Sequence, residues 1–527
     1  MDKRLESAGN QLEAALNRYL RASFAIQKSR DGKATETHSQ NLMDHIPELT
    51  LFEQRLQRTK AAVGIARNHS VLVVPIHRLS LNLLARIFRE VVSSETCAVK
   101  LDGTGRFPKR SIGLSHVCNL WRQIAIASPY LWSHIDISPS ILKSKTLFSR
   151  INTFLDRTGQ SSLDLHIGYA SEDEDEGADG LVLSNFIAPL VPRMQEVKCC
   201  IQPSWSVSER CFPPSALSCF LNEKAAPGML TALDLSSGTT SGMFYLQTTE
   251  QMSTFNSLSL NISMHHLEEL LLSVTVLRLN NICPQWTSKA FHGLVELRLH
   301  TSDRRFTIHE SDLAAILAHS PTLRVFDLGI QIEFANTPMM SIALHSLEVL
   351  LTHIPSYSQL GRFLRLIDSG PSPLLLSIDS PHQDDELNDN LVHFFSHSNI
   401  TRFCTAQPSK FSKSFELVNL AHTIKKLAVN HPLIDAGGSD ELDSPLQVHL
   451  DTLYLLGNIY LDISQLRDMI DWTGVQKLVL WGDIYRVTHS GKPIMSKEFL
   501  KKKLSDFGVA VEIISLDLPS PMGLFLL

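Results

Sequence analysis

The sequence predicts a mixed α/β (α+β) chain in three parts: a helical arm over residues 1–70, a small helical domain over 71–138, and an irregular stack of short parallel strands and helices over 139–527. Three observations carry this expectation. Apolar residues near the start recur at helical spacing, and two short amphipathic helices then flank the tryptophan pair Trp121 and Trp132. Beyond Ser138 a Leu-x-x-Leu-x-Leu rhythm returns along the rest of the chain.

Composition excludes several classes of function. A hydrophobic share of 43% against 19% charged residues describes a globular chain that buries enough surface to offset its entropy. The 48 Lys and Arg against 54 Asp and Glu leave a net charge of -6, and no basic stripe carries interleaved aromatics, so nucleic acid is not an expected partner. The opening residues, MDKRLESAGNQLEAALNRYL, are charged, and no run of about 18 apolar residues follows. No membrane association is therefore expected, and the protein is expected in the cytoplasm or nucleus. Eight cysteines without a Cys-x-x-Cys pair read as buried, reduced thiols. The one dense charge run, SEDEDEG from Ser171, reads as a solvated loop over residues 171–179, because neighbouring carboxylates repel one another.

In the arm, Leu5, Ala8, Leu12, Ala15, Tyr19, Ala22 and Ile26 fall on one helical stripe. Three alanines and Gly9 thin it, so a helix packed on its own chain is expected in preference to a dimeric coiled coil. The polar residues 31–41 interrupt the pattern. A second helix is expected after Pro47, with Leu49, Phe52, Leu56 and Val63 on one side.

The small domain begins with PIHRLSLNLLARIFREVV, residues 75–92, in which Ser80 is placed to cap a helix bearing Leu83, Leu84, Ile87, Phe88 and Val91. That face is wider than a two-helix unit covers. Residues 93–110 read as a loop. One helix is expected from Leu114 to Ser128, with Leu114, Val117, Cys118, Trp121 and Ile124 on one face, and Pro129 stops it. Leu131 and Trp132 then add a further apolar knob.

The order PIHRLSLNLLARIF, loop, LSHVCNLWRQIAIASPYLWSHIDI resembles the F-box in the variant common among fungal F-box proteins. There, Leu-Pro-x-Glu-Leu-Leu-x-x-Ile-Phe is followed by Val-Cys-x-x-Trp-Arg-x-Ile-Ala and Pro-x-Leu-Trp. Two positions depart from that pattern: Ser80 stands where the family usually has proline, and Asn82 where it often has glutamate. The resemblance implies a helical hook that docks the Skp adaptor of cullin-RING ubiquitin ligases. Pro75, Leu79, Leu83, Leu84, Ile87, Phe88, Val117 and Cys118 would face that partner, and Leu114, Trp121, Ile124, Leu131 and Trp132 would brace the unit from within.

In the long third part, LTALDL, FNSLSL, VTVLRL, LVELRL and LRVFDL recur between residues 230 and 328, and ITRFCT, IKKLAV, LDTLYL and VQKLVL between 400 and 480. SSLDLHI and MQEVKCCI start the series. Their spacing is that of leucine-rich repeats, whose helix-turn-strand unit cannot bury its own apolar face and so stacks on its neighbours into a solenoid with a parallel inner sheet. Asparagine is irregular at the turn, and residues 347–378 are poorly patterned. An ordinary α/β domain with several leucine-rich strands is the alternative.

No catalytic chemistry is legible. Gly-x-Gly-x-x-Gly, P-loop and His-Glu-x-x-His motifs are all missing, and adjacent His265 and His266 do not converge on one metal. No cofactor, metal or catalytic residue is expected. The leading expectation is a non-enzymatic, monomeric substrate-recognition subunit that joins an unknown protein target, through the adaptor, to a cullin. The rival is a leucine-rich-repeat scaffold or binding protein with no role in ubiquitin ligation.

Overall fold

The computed structural model describes residues 3–514 apart from 29–35, 70–71, 95–97, 100–104, 107–108, 171–175, 203–214, 239–241, 249, 251–256, 304, 338, 355, 379–387, 407–416, 431–432, 435–448, 462, 487–496 and 505–507. Most of the run expected to form an acidic loop, residues 171–175, lies outside the described residues. The remainder opens a helix at Glu176–Ile187. By its contacts the chain divides into two units, Met1–Ile87 and Phe88–Leu527.

The first unit holds α1 (Lys3–Lys28), α2 (Glu36–His69), a short 3-10 turn at Pro75–Arg78 and the opening of α3 (Leu81–Ser93). Two expectations are corrected here. Leu5, Leu12 and Tyr19 are exposed instead of packed on the chain, because the alanines between them leave too little apolar area to hold a neighbour. Helix α2 starts at Glu36 and runs through Pro47, where it was expected to begin only later. Proline removes one ladder hydrogen bond, and the helix-favouring Glu, Gln, Leu and Met residues on its amino-terminal side carry the helix past it.

In the second unit, α4 (Arg110–Val117) and α5 (Asn119–Ile126) replace the single helix expected over Leu114–Ser128. Cys118 is extended (φ -157°, ψ 172°), and its Sγ accepts a hydrogen bond from the Trp121 amide at 3.5 Å, capping α5. Within residues read as loop, Ala98–Val99 and Gly105–Arg106 form the one antiparallel pairing among the described residues.

Every other pairing among the described residues is parallel. Fourteen strands form one sheet whose spatial order follows chain order: β1 (His134–Ile137), β2 (Leu163–Ala170), β3 (Met194–Gln202), β4 (Ala232–Ser237), β5 (Val276–Asn280), β6 (Glu296–His300), β7 (Val325–Gly329), β8 (Val349–Thr352), β9 (Leu374–Ile378), β10 (Ile400–Ala406), β11 (Lys426–Asn430), β12 (Thr452–Leu456), β13 (Lys477–Trp481) and β14 (Ala510–Ile514). Alternate residues point to opposite faces. Ile135, Leu165, Val197, Leu233, Leu277 and Leu297 are thus brought into register on one face, and all are buried. At roughly 1.5–3 kcal/mol for each large side chain removed from water, this row supplies much of the drive to stack. Helices such as Met264–Leu271 and Glu310–Ala318 lie between successive strands and bury Leu267, Leu270, Leu313 and Leu317.

The parallel sheet agrees with the α/β reading, with three changes in detail. FNSLSL is not in this sheet: Ser257–Leu260 pairs with Phe244–Thr248, which in turn pairs with Ile282–Cys283. The Leu-x-Leu alternation suits any strand with one buried face, so it does not say which ladder the strand joins. The poorly patterned residues 347–378 supply two regular members, β8 and β9. HIDI, assigned from sequence to the small domain, is the first strand of the sheet.

Turns after the strands lock neighbours together. Asn281 is the one non-glycine residue at positive φ (60°) among those described. It is buried, its side-chain amide donates to the Ser237 carbonyl at 3.0 Å, and its Oδ1 accepts from the Ser302 amide at 2.8 Å, tying the turns after β4, β5 and β6. Gly482, after β13, has φ 130°, and a Cβ there would stand 1.9 Å from the Gly457 carbonyl oxygen in the turn after β12.

Candidate functional site

Helix α3 begins as its sequence suggests, with the Ser80 hydroxyl accepting the Leu83 amide at 3.3 Å. Its apolar face then divides. Leu83 and Ile87 are exposed at 50% and 39%, whereas Leu84 and Phe88 are buried at 1% and 0%. Leu84 and Phe88 thus do not face outward with the others, which corrects their expected placement at a partner surface. Positions four apart share one side of a helix, and the neighbouring pair is turned by about 100°. The Leu84/Phe88 side points inward and the Leu83/Ile87 side does not. Pro75 and Leu79 are exposed as well.

Among the residues expected on α4 and α5, Val117 is 57% exposed, while Cys118 is half-buried and serves as the helix cap. Ile124, Leu131 and Trp132 are buried, and Leu114 and Trp121 are half-buried. Phe88 and Trp121 stack obliquely. Trp132 donates its indole N–H to the Ala125 carbonyl at 2.8 Å, meets Phe154 edge-on at 5.1 Å and lies under the Arg157 guanidinium at 4.0 Å. A large ring with its polar atom satisfied and both faces covered is a fixed strut.

The other face of the sheet carries a charged row that sequence reading did not find. In register order it begins with His134 and Asp136 on β1, Asp164 and His166 on β2, Glu196 and Lys198 on β3, and Asp234 on β4. It continues through Arg278, Glu296, Arg298 and Asp327. Glu296 accepts from Arg278 Nε at 2.7 Å and Arg298 Nε at 2.6 Å. Burial would raise the Glu296 carboxyl, but the two guanidinium groups outweigh it and hold it below its ordinary value. The Glu196 carboxyl moves the other way, raised by burial and then by the charge of Asp164.

Two His-Asp-His groups sit on this face. His300 Nε2 is 3.0 Å from Asp327 Oδ2, and His353 Nε2 is 3.4 Å from Oδ1. Burial pushes the Asp327 carboxyl up, yet the His300 and His353 contacts dominate and leave it far below the usual carboxylate range. Arg298 Nη1 stands 3.7 Å from the same carboxylate. In the second group, His134 and His166 converge on Asp136. Beyond β7 the same face carries an apolar cluster, with Leu375, Cys404, Ala428 and Leu456 buried together and Tyr454 and Trp481 beside them, and at its far end Lys477 Nζ lies 2.7 Å from Glu512 Oε2. The described cysteines, Cys118, Cys199, Cys200, Cys219, Cys283 and Cys404, are free thiols.

No protein-family model matches this chain, and no curated protein matches it significantly. Among the described residues no helix is long and apolar enough to cross a membrane.

Proposed function

We propose that the chain is a non-catalytic substrate receptor: an F-box-like helical unit docks a Skp-type adaptor, and a leucine-rich-repeat-like solenoid holds a protein target for ubiquitin transfer through a cullin. The observation that carries the proposal is the division of α3. Leu84 and Phe88 anchor the helix, so Leu83 and Ile87 are presented to solvent by a fixed element, as helix-in-groove recognition requires. Val117 on α4, which the resemblance also assigns to a partner, is exposed too. The Ser80 cap supports the reading too, since it replaces a family proline without loss of the helix start.

The second half of the reading rests on strands that follow chain order, all parallel, with turns tied from one to the next. Stacked repeats of this kind offer side chains from many strands to one partner. The charged residues from β1 to β7 would give that target a polar contact zone. Such a receptor works by raising the effective concentration of target lysines beside the ubiquitin carrier, so it needs no reactive residue.

The test is co-purification of the full chain with a Skp-type adaptor at micromolar concentration. Stable association is expected, and it should vanish in Leu83→Glu/Ile87→Glu while the circular dichroism spectrum and unfolding midpoint stay unchanged. A folded wild-type chain that does not associate would leave the repeat scaffold without a ligase role as the reading to adopt.

A further inference from the structure

The first two strands of the sheet bring four ionisable groups together: Asp136 and His166, buried at 6% and 8% exposure, and half-exposed His134 and Asp164. His134 Nε2 lies 3.1 Å from Asp136 Oδ1, and His166 Nδ1 lies 3.3 Å from that same oxygen. All three ligand-type atoms fall within 4.8 Å of one another. A tetrahedral zinc ion with bonds of 2.0–2.1 Å separates its ligands by about 3.3 Å. The two contacts to Asp136 already match that edge, and a small closure of the histidines completes the triangle.

We propose that His134, Asp136 and His166 form a binding site for a divalent transition-metal ion of the zinc class. Asp164 supplies the part that a chance ion-pair cluster has no reason to contain. Its Oδ2 lies 2.6 Å from His134 Nδ1. With an ion bound, that contact would hold the ring proton on Nδ1 and leave Nε2 as the ligand atom, the carboxylate–histidine–metal relation that orients ligands in built sites. Two carboxylates also supply the charge that a divalent ion needs, and Glu196, in register with Asp164, adds to it. Two basic groups lie nearby. Lys198, in register with His166, has its ammonium 3.5 Å from Asp234, and Arg150 stacks its guanidinium over Phe154 at 5.3 Å. The group His300, Asp327 and His353 is a poorer site, since Arg298 already stands 3.7 Å from its only carboxylate.

Three protein ligands leave one position on the ion open to water or to a donor from a bound protein. The ion would also clip β1 to β2 at the edge of the sheet.

The test is zinc titration of the chelator-treated full chain, followed by calorimetry and native mass spectrometry. One tightly bound ion is expected. His134→Ala should remove it, and Asp164→Asn, which keeps all three ligands, should weaken it about 10–100-fold. Both sites are half-exposed, so these variants should retain the wild-type fold by circular dichroism. His300→Ala should bind zinc as wild type does. No tightly bound zinc in the wild-type chain would overturn the proposal, as would zinc retained by His134→Ala or lost only in His300→Ala.

Discussion

The Phe88 and Trp121 rings lie with centroids 4.7 Å apart and planes inclined by 54°, joining α3 to α5. The tryptophan pair is thereby explained in two ways: Trp121 meets the buried side of α3, and Trp132 braces the start of the sheet through Phe154. Phe88→Ala should destabilise the protein by about 3–5 kcal/mol, the cost of emptying a filled aromatic site. Leu83→Ala, one turn back and half-exposed, should stay within about 0.5 kcal/mol of wild type. Urea unfolding midpoints of the two variants check the contrast.

Trp132 is fully buried and donates one hydrogen bond to Ala125. Trp132→Phe keeps an aromatic ring but removes the indole hydrogen bond, leaving the carbonyl only the longer one from the Ser128 amide at 3.3 Å, and opens a void beside Phe154. A loss of about 1–3 kcal/mol is expected, together with disappearance of a blue-shifted component in the fluorescence emission.

Asp327 links stability to pH. Its carboxyl is held below the ordinary value in the folded state, so its contribution is fully present above the unfolded carboxylate pKa of about 3.9 and declines as pH falls toward the folded value. Asp327→Asn should cost about 1–3 kcal/mol at pH 7. The gap between wild type and variant should narrow below about pH 4, as measured by denaturant midpoints across that range.

Gly482 should tolerate no side chain. A Cβ there would enter the Gly457 carbonyl, and φ of 130° is itself unfavourable for other residues. Gly482→Ala should lower stability by more than about 2 kcal/mol, whereas Gly9→Ala, where a Cβ meets nothing within 4 Å, should be neutral or slightly stabilising. Thermal unfolding of the two variants tests whether adjacent turns stack as closely as described.

Much of the architecture was legible because its determinants are local. The Leu-x-x-Leu-x-Leu rhythm marks a strand with one buried face, and most segments so marked became strands of the long sheet. Ser80 was recognisable as a cap from its place before an apolar run, and the capped turn forms there. Less was legible in the arm, where periodicity gave the helix but not the surroundings of its stripe. The break at Cys118 was hidden because both helices share one apolar period, and only the extended conformation of a single residue separates them.

The sequence by itself determined where most of the long sheet's strands form, which residues alternate along them, and that no run of about 18 apolar residues occurs. Tertiary structure alone decided which side of α3 is buried, that FNSLSL joins a separate short sheet, and that His134, Asp136 and His166 meet. The physical reason is one of range. Periodicity records the direction of a side chain from its own backbone, whereas parallel register sets residues from different strands side by side, and no local pattern encodes that meeting.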